Sequence, residues 1–471
     1  MPGFSVFARA IPATLSGFLV FTLGACTTPV LRSEVDVPGR FAAAAESEAA
    51  PEVAWWERYA DPVLSDLIHR AARENRDVKI AAERVRAARA GETISRSRLL
   101  PNVGANAFGI DHDPDGAPAL EAGSAALSVS WEIDVAGGLR AGASAATYDR
   151  IATEDGARAV RLLVLADVAT NYFTLVGALH QLETVRAIST AQDETLRLVT
   201  ARHRVGLAST FDVERARTAA SSARAAIPPI ETLVAASRHR IAVLIGDQAS
   251  NATAAVVPWS GTTVVPDVQP GQPATLLERR PDLLASRAQL EAANRRRREA
   301  AAEWFPRLFL NALFGRQDVE VDAIDFGAAR FTNASALLAM PIFNWGRTRA
   351  INQVAESRQR EALLRYEDAI VRALEDVENA VVALRDERQR AESLRSAADS
   401  ADAALGHAQS LYDRGQIDLL PLLDVQRSRL IVRIGANDSS TQLLLSTVQL
   451  YKALGGGWEA FEPDAIKGDE S

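Results

Sequence analysis

The two halves of this 471-residue chain repeat one another with a shift of 209 residues. The matched pairs are Ile133 with Ile342, Gly137 with Gly346, Arg140 with Arg349, Gly206 with Gly415, Gly246 with Gly455 and, after a three-residue insertion, Asp212 with Asp424 and Arg217 with Arg429. A repeat of about 200 residues is too long for the unit of a solenoid. The overlay therefore indicates a duplicated domain in which each copy holds the same order of elements.

Each copy is predicted to contain a helix, two strands, a long helix, a glycine turn and a further helix. In the first copy these are a helix from Asp61-Pro62 to about Leu100, stopped by Pro101, strands at 102–110 and 125–135, a helix at 140–203, and a helix from Thr210 to Gly246 kinked at Pro228-Pro229. In the second copy they are a helix at 281–304, strands at 307–315 and 333–343, and helices from Gly346 to Gly415 and from Leu420 to Leu454.

Residues 125–135 show the clearest alternation of apolar and polar side chains. One face carries Leu127, Val129, Trp131, Ile133 and Val135, and the other carries Ser128, Ser130, Glu132 and Asp134. Alternation over about 10 residues predicts a tilted transmembrane strand whose polar side chains face a barrel lumen. A surface strand of a soluble sandwich is the alternative, because it shows the same pattern.

The long helices and the number of strands limit the assembly. Leu165, Val168, Tyr172 and Leu175 step by threes and fours, which is typical of a coiled-coil seam. A helix of about 65 residues is about 100 Å long and must project from a bilayer. Four strands cannot close a membrane barrel, which needs about eight, and an open sheet edge cannot persist in lipid. We therefore expect an oligomer, and a conducting pore favours three chains over two.

The N-terminus has the form of a secretory signal. An apolar stretch runs from Ile11 to Leu23 and ends in Leu23-Gly24-Ala25-Cys26, which resembles a bacterial lipobox. Cys26 is the only cysteine, so it has no partner for an intramolecular disulfide. We expect residues 1–25 to be removed and Cys26 to be lipidated. An ordinary cleaved signal peptide with an incidental cysteine is the alternative.

The mature chain is expected to comprise five segments. These are a lipid-anchored tether at 26–54, the first repeat at 55–250, a linker at 251–274, the second repeat at 275–457 and a C-terminal tail at 458–471. The linker is rich in Pro, Gly and Thr. No long uncharged apolar run follows the signal, so no helical membrane span is expected in the mature chain.

Several local runs resemble the TolC-type outer-membrane efflux proteins, in particular the lipoprotein (NodT-like) branch that serves resistance-nodulation-division (RND) pumps. The matching segments are the lipobox at Cys26, Trp55-Trp56 with Asp61-Pro62, Leu276-Leu277-Glu278-Arg279-Arg280-Pro281-Asp282, Phe305-Pro306-Arg307-Leu308 and Leu422-Leu423-Asp424-Val425-Gln426-Arg427. The resemblance covers nearly the whole mature chain. It implies an α+β membrane protein, a homotrimer in which four strands from each chain build a twelve-stranded outer-membrane barrel above a periplasmic α-helical coiled-coil barrel.

The resemblance also implies a function and a site. The function is that of a passive exit duct for small molecules, whose closed periplasmic end opens when a periplasmic adaptor coupled to an inner-membrane RND pump docks there. The implied site residues are the adaptor-contacting tip turns at Gly206 and Gly415 and a gate formed by Leu420, Asp424, Arg427 and Tyr412. Carboxylates near a three-fold axis repel unless they are paired, and a ring of leucines can constrict a pore. An ordinary i,i+3 ion pair on a solvated helix face is the alternative for Asp424 and Arg427.

Nothing in the sequence indicates an enzyme, a metal site or a cofactor. The six histidines are scattered without ligand spacing, and no nucleophile, base and orienting group belong together. The net charge of −8 excludes a general basic surface for nucleic acid. The run from Arg295 to Arg298 is a local exception, which would contact anionic lipid head groups or form a solvated helix face. Two other functions remain open, namely the outer-membrane duct of a type I protein secretion system and a coiled-coil periplasmic lipoprotein without a channel.

Overall fold

The computed structural model describes residues 28–43, 52–113, 115–116, 118–252, 264–321 and 324–462. Cys26 and the predicted signal peptide lie outside the described residues. The chain divides into two compact units. Among the described residues, the first unit contains those within 28–34, 87–152 and 286–366, and the second contains those within 35–86, 153–285 and 367–462. Each unit takes segments from both copies of the repeat. The two copies of the repeat are therefore interleaved in the structure.

The order of elements is the predicted one in both copies. The first copy contains α1 (Pro62–Glu74), α2 (Arg76–Ser97), β1 (Asn102–His112), β2 (Leu120–Ile133), α3 (Gly138–Arg204), α4 (Thr210–Ala225) and α5 (Ile227–Leu244). The second copy contains α6 (Pro281–Ala302), β3 (Arg307–Val321), the two-residue β4 (Ile324–Asp325), β5 (Ala329–Ala339), α7 (Arg347–Asp413) and α8 (Leu419–Ala453). Short helical turns lie at Trp55–Tyr59, Ala249–Asn251, Pro273–Thr275, Leu276–Arg279 and Glu459–Phe461.

The glycines matched between the copies lie at the same backbone joints. The φ angle is 76° and 84° at Gly137 and Gly346, 78° and 71° at Gly206 and Gly415, and 83° and 76° at Gly246 and Gly455. A side chain with a Cβ atom is strained at such angles, so these joints require glycine. The duplication seen in the sequence is thus present in the backbone geometry.

The strands of the two copies form one antiparallel sheet. The strand order is β1-β2-β3, β5 pairs with the other side of β3, and β4 extends that side beyond β5. The junction between the copies is the β2–β3 pair, whose register runs from Leu120 opposite Val321 to Ile133 opposite Leu308. β1 and β5 form the two edges of the sheet. The helices that adjoin the strands in the chain, α2, α3, α6 and α7, meet the sheet at one end, and the connections within each hairpin lie at the other end.

The register gives the sheet one apolar and one polar face, because directly opposite residues project to the same side. Leu127 lies between Ala105 and Phe314, and Val129 lies between Val103 and Ala312. These residues belong to the apolar sheet face. Ser130 lies between Asn102 and Asn311, which belong to the polar sheet face. The alternation predicted from β2 alone therefore continues into β1 and β3 at these positions, although Phe309, Leu313 and Phe331 also lie on the polar sheet face.

The predicted strand bounds need correction at both ends. β2 begins at Leu120 rather than 125 and ends at Ile133, so Asp134 and Val135 lie beyond it. β5 spans Ala329–Ala339 rather than 333–343. Pro341 follows this strand, and because proline has no backbone N–H it cannot extend the ladder of hydrogen bonds. The predicted apolar residues Ile342 and Phe343 are consequently outside the sheet and exposed.

The helix predicted from 61 to 100 is divided at Asn75. The buried Asn75 side chain accepts hydrogen bonds from the backbone N–H groups of Asp77 and Val78, which begin α2. Its Nδ2 atom donates to the carbonyl oxygen of Leu244 at 2.8 Å. Asn75 therefore caps a new helix, as asparagine commonly does, and the periodicity of the apolar residues did not reveal this break.

The predicted seam of α3 is buried. Leu165, Val168, Tyr172 and Leu175 are each at most 1 % exposed. Among the described residues, one helix has an 18-residue window apolar enough to cross a membrane, and this is α3, with 56 % of that window buried in the chain. A buried core helix meets the same criterion, and the Tyr172 hydroxyl donates to Asp61 at 2.7 Å within this core.

The N-terminal segment does not behave as a free tether where it is described. In the first unit, the Asn294 side chain accepts from the backbone N–H of Leu31 at 3.1 Å and donates to the Leu31 carbonyl at 3.2 Å. Gln359 Nε2 donates to the Pro29 carbonyl at 2.9 Å and to Asn294 Oδ1 at 2.7 Å. Asn294 and Gln359 are both 2 % exposed. We call these two residues the amide clamp, because they hold two backbone positions of an extended segment.

Candidate functional site

The turns at Gly206 and Gly415 have the same hydrogen bonds. The N–H of Gly206 donates to His203 at 3.0 Å, and the N–H of Leu207 donates to the carbonyl of Arg202 at 2.9 Å. In the second copy Gly415 donates to Tyr412 at 3.0 Å, and Gln416 donates to Leu411 at 2.9 Å. This pattern is a Schellman motif, in which a left-handed glycine ends a helix. The two turns, which we call the first tip and the second tip, are therefore built alike.

A cluster of buried apolar side chains from both copies lies next to the tips. This tip core contains Val199, Val213, Ala216, Ala408, Tyr412, Leu419, Leu422 and Leu423. Tyr412 is only 4 % exposed, and the guanidinium carbon of Arg202 lies 4.5 Å from the centroid of its ring. The sequence assigned Tyr412 to the gate lining. In this chain it packs in the tip core instead, because its side of α7 faces the first copy.

The other three predicted gate residues lie together on an exposed strip of α8. Leu420, Asp424 and Arg427 are spaced by four and three residues, which places them on one helix face. Leu420 is 52 % exposed, and a 2.8 Å ion pair joins Arg427 to Asp424. Both charged side chains are mostly exposed. The strip therefore offers an apolar side chain and a charge pair to whatever faces it.

The corresponding residues of the first copy make different contacts. Asp212 forms a capping box with Ser209, whose backbone N–H and hydroxyl donate to the Asp212 carboxylate at 3.0 and 2.7 Å. These hydrogen bonds from the Ser209 hydroxyl and backbone hold the pKa of Asp212 below its ordinary value. The guanidinium of Arg215 lies 5.4 Å from the ring centroid of Phe211. An Asp and an Arg thus stand three residues apart in both copies, but they pair with one another only in the second.

The two tips differ in polarity. Val205 and Leu207, which flank Gly206, are 69 % and 76 % exposed, and Phe211 is also exposed. The matching residues around Gly415 are Arg414 and Gln416. Exposed apolar groups on a loop are typical of a contact surface. The first tip is therefore more apolar than the second. The residue types on either side of each glycine are the sequence signal for this difference.

A groove of about 790 Å³ lies beside the tip core within the second unit. Glu194, Asp402, Gln409 and Gln426 are among its lining residues. The buried Gln426 donates through Nε2 to Thr195 Oγ1 at 3.3 Å. Its Oε1 atom has no hydrogen-bond partner in the part of the chain that the structure describes. The groove is therefore polar, but Asp402 is paired with Arg429 and Arg433, and this Gln426 Oε1 atom is buried.

The predicted lumen residues of β2 lie where the alternation places them, with one exception. Ser128 and Ser130 are on the polar sheet face, and Ser128 accepts a hydrogen bond from Asn106 Nδ2 at 2.9 Å. Glu132 is on the same face. Asp134 follows the strand and accepts from the backbone N–H groups of Leu139 and Arg140 at 3.1 and 2.9 Å.

Asp134 is therefore a cap of α3 and not a strand residue facing a lumen. Partial burial acts to raise its pKa, but hydrogen bonds from the Arg140 backbone, the Arg140 guanidinium and the Leu139 backbone outweigh it and lower the pKa. A carboxylate at the N-terminus of a helix is also favoured by the helix dipole. The sequence signal for this cap was the aspartate four residues before the helix, which the strand alternation concealed.

The basic run on α6 packs within the first unit. Arg296 forms an ion pair with Asp149, and Arg297 donates to Asn352 Oδ1 at 2.7 Å. The guanidinium of Arg295 lies 5.6 Å from the ring centroid of Tyr148. Much of the run from Arg295 to Arg298 is therefore occupied by protein partners. The run is therefore neither a free lipid-binding face nor a fully solvated helix face.

The Glu278-Arg279-Arg280-Pro281-Asp282 run contacts the end of α8 within the second unit. Arg280 donates to the carbonyl of Ala453 at 3.0 Å and forms ion pairs with Asp282 and Asp376 at 2.8 and 3.1 Å. Arg279 pairs with Glu459 at 2.9 Å. These contacts are structural. They also hold residues 458–462, so the described part of the predicted tail is packed.

Comparison with known proteins agrees with this architecture. The family model described as outer membrane efflux protein matches residues 67–247 and 273–456, one match for each copy. Outer membrane protein OprJ of Pseudomonas aeruginosa is 30 % identical over 94 % of this chain and 95 % of its own. The probable outer membrane lipoprotein SilC of Salmonella typhimurium is 28 % identical over 94 % of this chain and 98 % of its own. The solved structure of the outer-membrane channel OprN is 27 % identical with a TM-score of 0.84, over 92 % of this chain and 99 % of that one.

The fold and the sheet faces define an outer-membrane channel with long periplasmic helices. The chain belongs to the outer membrane efflux protein family, as its TolC-type motifs had indicated. The predicted family, fold class, efflux function and outer-membrane location are thereby confirmed. Among the described residues no group of three or more His, Cys, Asp or Glu side chains is placed to hold a metal ion.

Proposed function

We propose that three copies of this chain form the exit duct of a tripartite efflux system, together with a periplasmic adaptor and an inner-membrane RND pump. The observation that carries the proposal is the sheet of four long strands with edges at β1 and β5. An unpaired edge is costly in lipid, where no water replaces the missing hydrogen bonds. Joining β5 of one copy to β1 of the next removes both edges, and twelve strands enclose a conducting lumen.

In this assembly the polar sheet face lines the lumen and the apolar sheet face contacts lipid. Ser128, Ser130 and Glu132 are then lumen residues, and Leu127 and Phe314 are lipid-facing. Cys26 is proposed to carry lipid that anchors the N-terminus. The name of SilC, a probable outer membrane lipoprotein, supports this part of the proposal.

The periplasmic end is proposed to be both the docking site and the gate. The apolar first tip with Val205 and Leu207, and the groove with Gln426, favour contact with an adaptor around Gly206 and Gly415. The strip of Leu420, Asp424 and Arg427 would face the three-fold axis. There the three copies place like charges close together, so the Asp424–Arg427 pair keeps the closed ring neutral.

The duct is tested by ion conductance of the purified oligomer in a planar bilayer. We expect low conductance in the wild type and a several-fold higher conductance in the Asp424→Asn/Arg427→Gln double variant, because the ring then loses the ion pairs of Asp424 and Arg427 that hold it closed. Absence of conductance in every variant, with the oligomer intact, would rule out a channel.

A matched control is available on α4. Glu214 and Arg217 form an exposed i,i+3 ion pair at 2.7 Å, like that of Asp424 and Arg427. The Glu214→Gln/Arg217→Gln variant removes the same charges from the first copy and is expected to conduct like the wild type. If both double variants raise the conductance equally, the effect is due to a general loss of surface charge. The assignment of the gate to α8 would then be wrong.

A further inference from the structure

Two arginines stand directly opposite one another on the apolar sheet face. Arg316 on β3 pairs in register with Arg330 on β5. The next pair on this face is Phe314 with Thr332, and small or apolar residues follow it toward the helical end. Both arginines are exposed, and no ion pair joins either to a carboxylate among the described residues.

The position of this arginine pair along the strand is near the boundary of the apolar band. From Leu308, at the helical end of β3, to Arg316 is eight residues, or about 26 Å along the strand. At the tilt of about 40° that is usual in membrane barrels this is about 20 Å of depth, in a band that is typically about 25 Å. At the opposite boundary Phe343 and Trp345 are exposed and in contact, as in an aromatic girdle.

The helices lie in the periplasm, so the arginine pair lies at the outer boundary, where lipid head groups begin. Like charges directly opposite on neighbouring strands destabilise a sheet unless a counter-charge is present. Guanidinium groups match the oxygens of a phosphate through paired, charge-assisted hydrogen bonds. A phosphate between Arg316 and Arg330 would therefore relieve the repulsion and gain such bonds.

Residues further out on the same face fix the level of the anion. Asp318 is the next residue after Arg316 on this face of β3, and beyond it Asp111, Glu121, Glu320 and Asp325 are directly opposite one another across β1, β2, β3 and β4. This row of carboxylates repels a phosphate, and the apolar band on the other side excludes one. Only the level of the arginine pair accepts an anion whose other end is apolar.

We propose that Arg316 and Arg330 bind the phosphate of an outer-leaflet glycolipid, one site in each chain. The proposal rests on the proposed membrane orientation of the sheet, but it concerns the outer surface and not conduction. The lipid supplies acyl chains for the apolar sheet face and a phosphate for the two guanidinium groups. Bound lipid would then seal the outer boundary of the barrel.

The test uses the intact detergent-purified oligomer and bisphosphorylated lipid A, with retained lipid counted by native mass spectrometry. We expect the Arg316→Gln/Arg330→Gln variant to retain lipid A at least tenfold more weakly than the wild type. Lipid A without phosphates should bind the wild type as weakly as lipid A binds the variant. Equal retention of bisphosphorylated lipid A by the wild type and the variant, or equal retention of the two lipids by the wild type, would overturn the proposal.

Two further arms separate the alternatives. Arg360→Gln/Arg365→Gln removes two exposed charges from α7, outside the sheet, and is expected to leave lipid retention unchanged. A loss as large as that of the sheet variant would show a general charge effect and overturn the site. If millimolar inorganic phosphate saturates the site and displaces the lipid, the site belongs to free phosphate and not to a lipid. Conductance of the sheet variant should equal that of the wild type, so a failed lipid site is distinguishable from a failed channel.

Discussion

The guanidinium carbon of Arg202 lies 4.5 Å from the ring centroid of Tyr412 and joins the last turn of α3 to the last turn of α7. Through this cation–π contact the charged Arg202 side chain covers one side of the tip core, since Tyr412 is buried in that core and Arg202 is at its margin. The two copies of the repeat are thus fastened together next to both tips. A movement that separates the tips must break this contact.

Replacing Arg202 by glutamine should therefore loosen the tips. A partly exposed cation–π contact contributes about 0.5–1 kcal/mol, so we expect a several-fold higher fraction of time in the open state. Single-channel conductance in a planar bilayer measures this fraction. Arg197→Gln on the same helix, which removes an exposed partner of Glu194 and of the Asp193 carbonyl, is the control. Identical gating in the two variants would show that the Arg202–Tyr412 contact does not restrain the tips.

Loss of the capping box should weaken the first tip alone. Ser209→Ala removes the side-chain acceptor for the N–H of Asp212 and is expected to cost about 1 kcal/mol of local stability. Amide hydrogen exchange in the first turns of α4 should quicken, while exchange after the second tip stays the same. Ser221→Ala, at an exposed position later in α4, is the control and should leave exchange near Ser209 unaltered.

The same cap gives the first tip an acid dependence. Because the pKa of Asp212 is lowered on folding, its stabilising effect is complete above the ordinary aspartate value of about 3.9 and is lost as pH falls through the lowered pKa. Hydrogen exchange after intrinsic-rate correction should therefore quicken in α4 below about pH 4 in the wild type. The Ser209→Ala variant should show a smaller acid dependence, because the pKa of Asp212 then lies closer to its value in the unfolded chain, and coincident profiles would contradict this role of Ser209.

Removing the amide clamp should free the N-terminal segment. Asn294→Leu deletes both hydrogen bonds to Leu31 and leaves buried polar groups without partners, at a cost of about 1–3 kcal/mol. We expect much faster tryptic cleavage after Arg32, seen as loss of the N-terminal fragment by mass spectrometry. Arg287→Gln, which is also on α6, serves as the control and should be cleaved at the wild-type rate. An unchanged rate in Asn294→Leu would mean that other contacts hold the segment.

Alkaline pH should destabilise the second unit through Tyr451. Burial raises the pKa of Tyr451 to about 12, against about 10 in an unfolded chain. The folded state prefers the neutral phenol, so this stabilisation is complete below pH 10 and is lost as pH rises toward 12. The melting temperature should decrease as the pH rises over that interval, and the decrease should be smaller in the Tyr451→Phe variant. Parallel melting profiles would contradict the assignment.

Much of the fold could be predicted because the backbone conformation of a turn or a strand depends mainly on the residues within it. A glycine with positive φ is needed at Gly206 whatever surrounds it, so the spacing of glycines revealed the joints of both copies. The alternation in β2 likewise reports a sheet with two unlike faces, and the register across β1 and β3 agrees with it. Helix length and strand count then made an oligomer necessary.

The contacts of individual side chains were harder to predict, because they depend on partners far away in the sequence. The periodicity of α7 does not show whether Tyr412 lines a pore or packs in a core. Its burial depends on Arg202 and on the other residues of the tip core. Asp134 fits the alternation of β2, but the helix that starts at Gly138 takes its carboxylate as a cap. Asn294 carries no motif at all, and its function depends on the extended backbone at Leu31.

The two unpaired edges of the sheet, β1 and β5, also have a genetic consequence. In the proposed trimer each chain must supply one β1 edge and one β5 edge to its neighbours, so no subunit is dispensable. A chain whose β1 edge is blocked, for instance by proline at a β1 position whose backbone N–H points away from β2, would still offer a sound β5 edge and enter mixed rings. Every ring that it joins would remain unsealed. Expressed beside the normal chain, such a variant should suppress efflux even while the intact gene is present, and so behave as a dominant-negative allele.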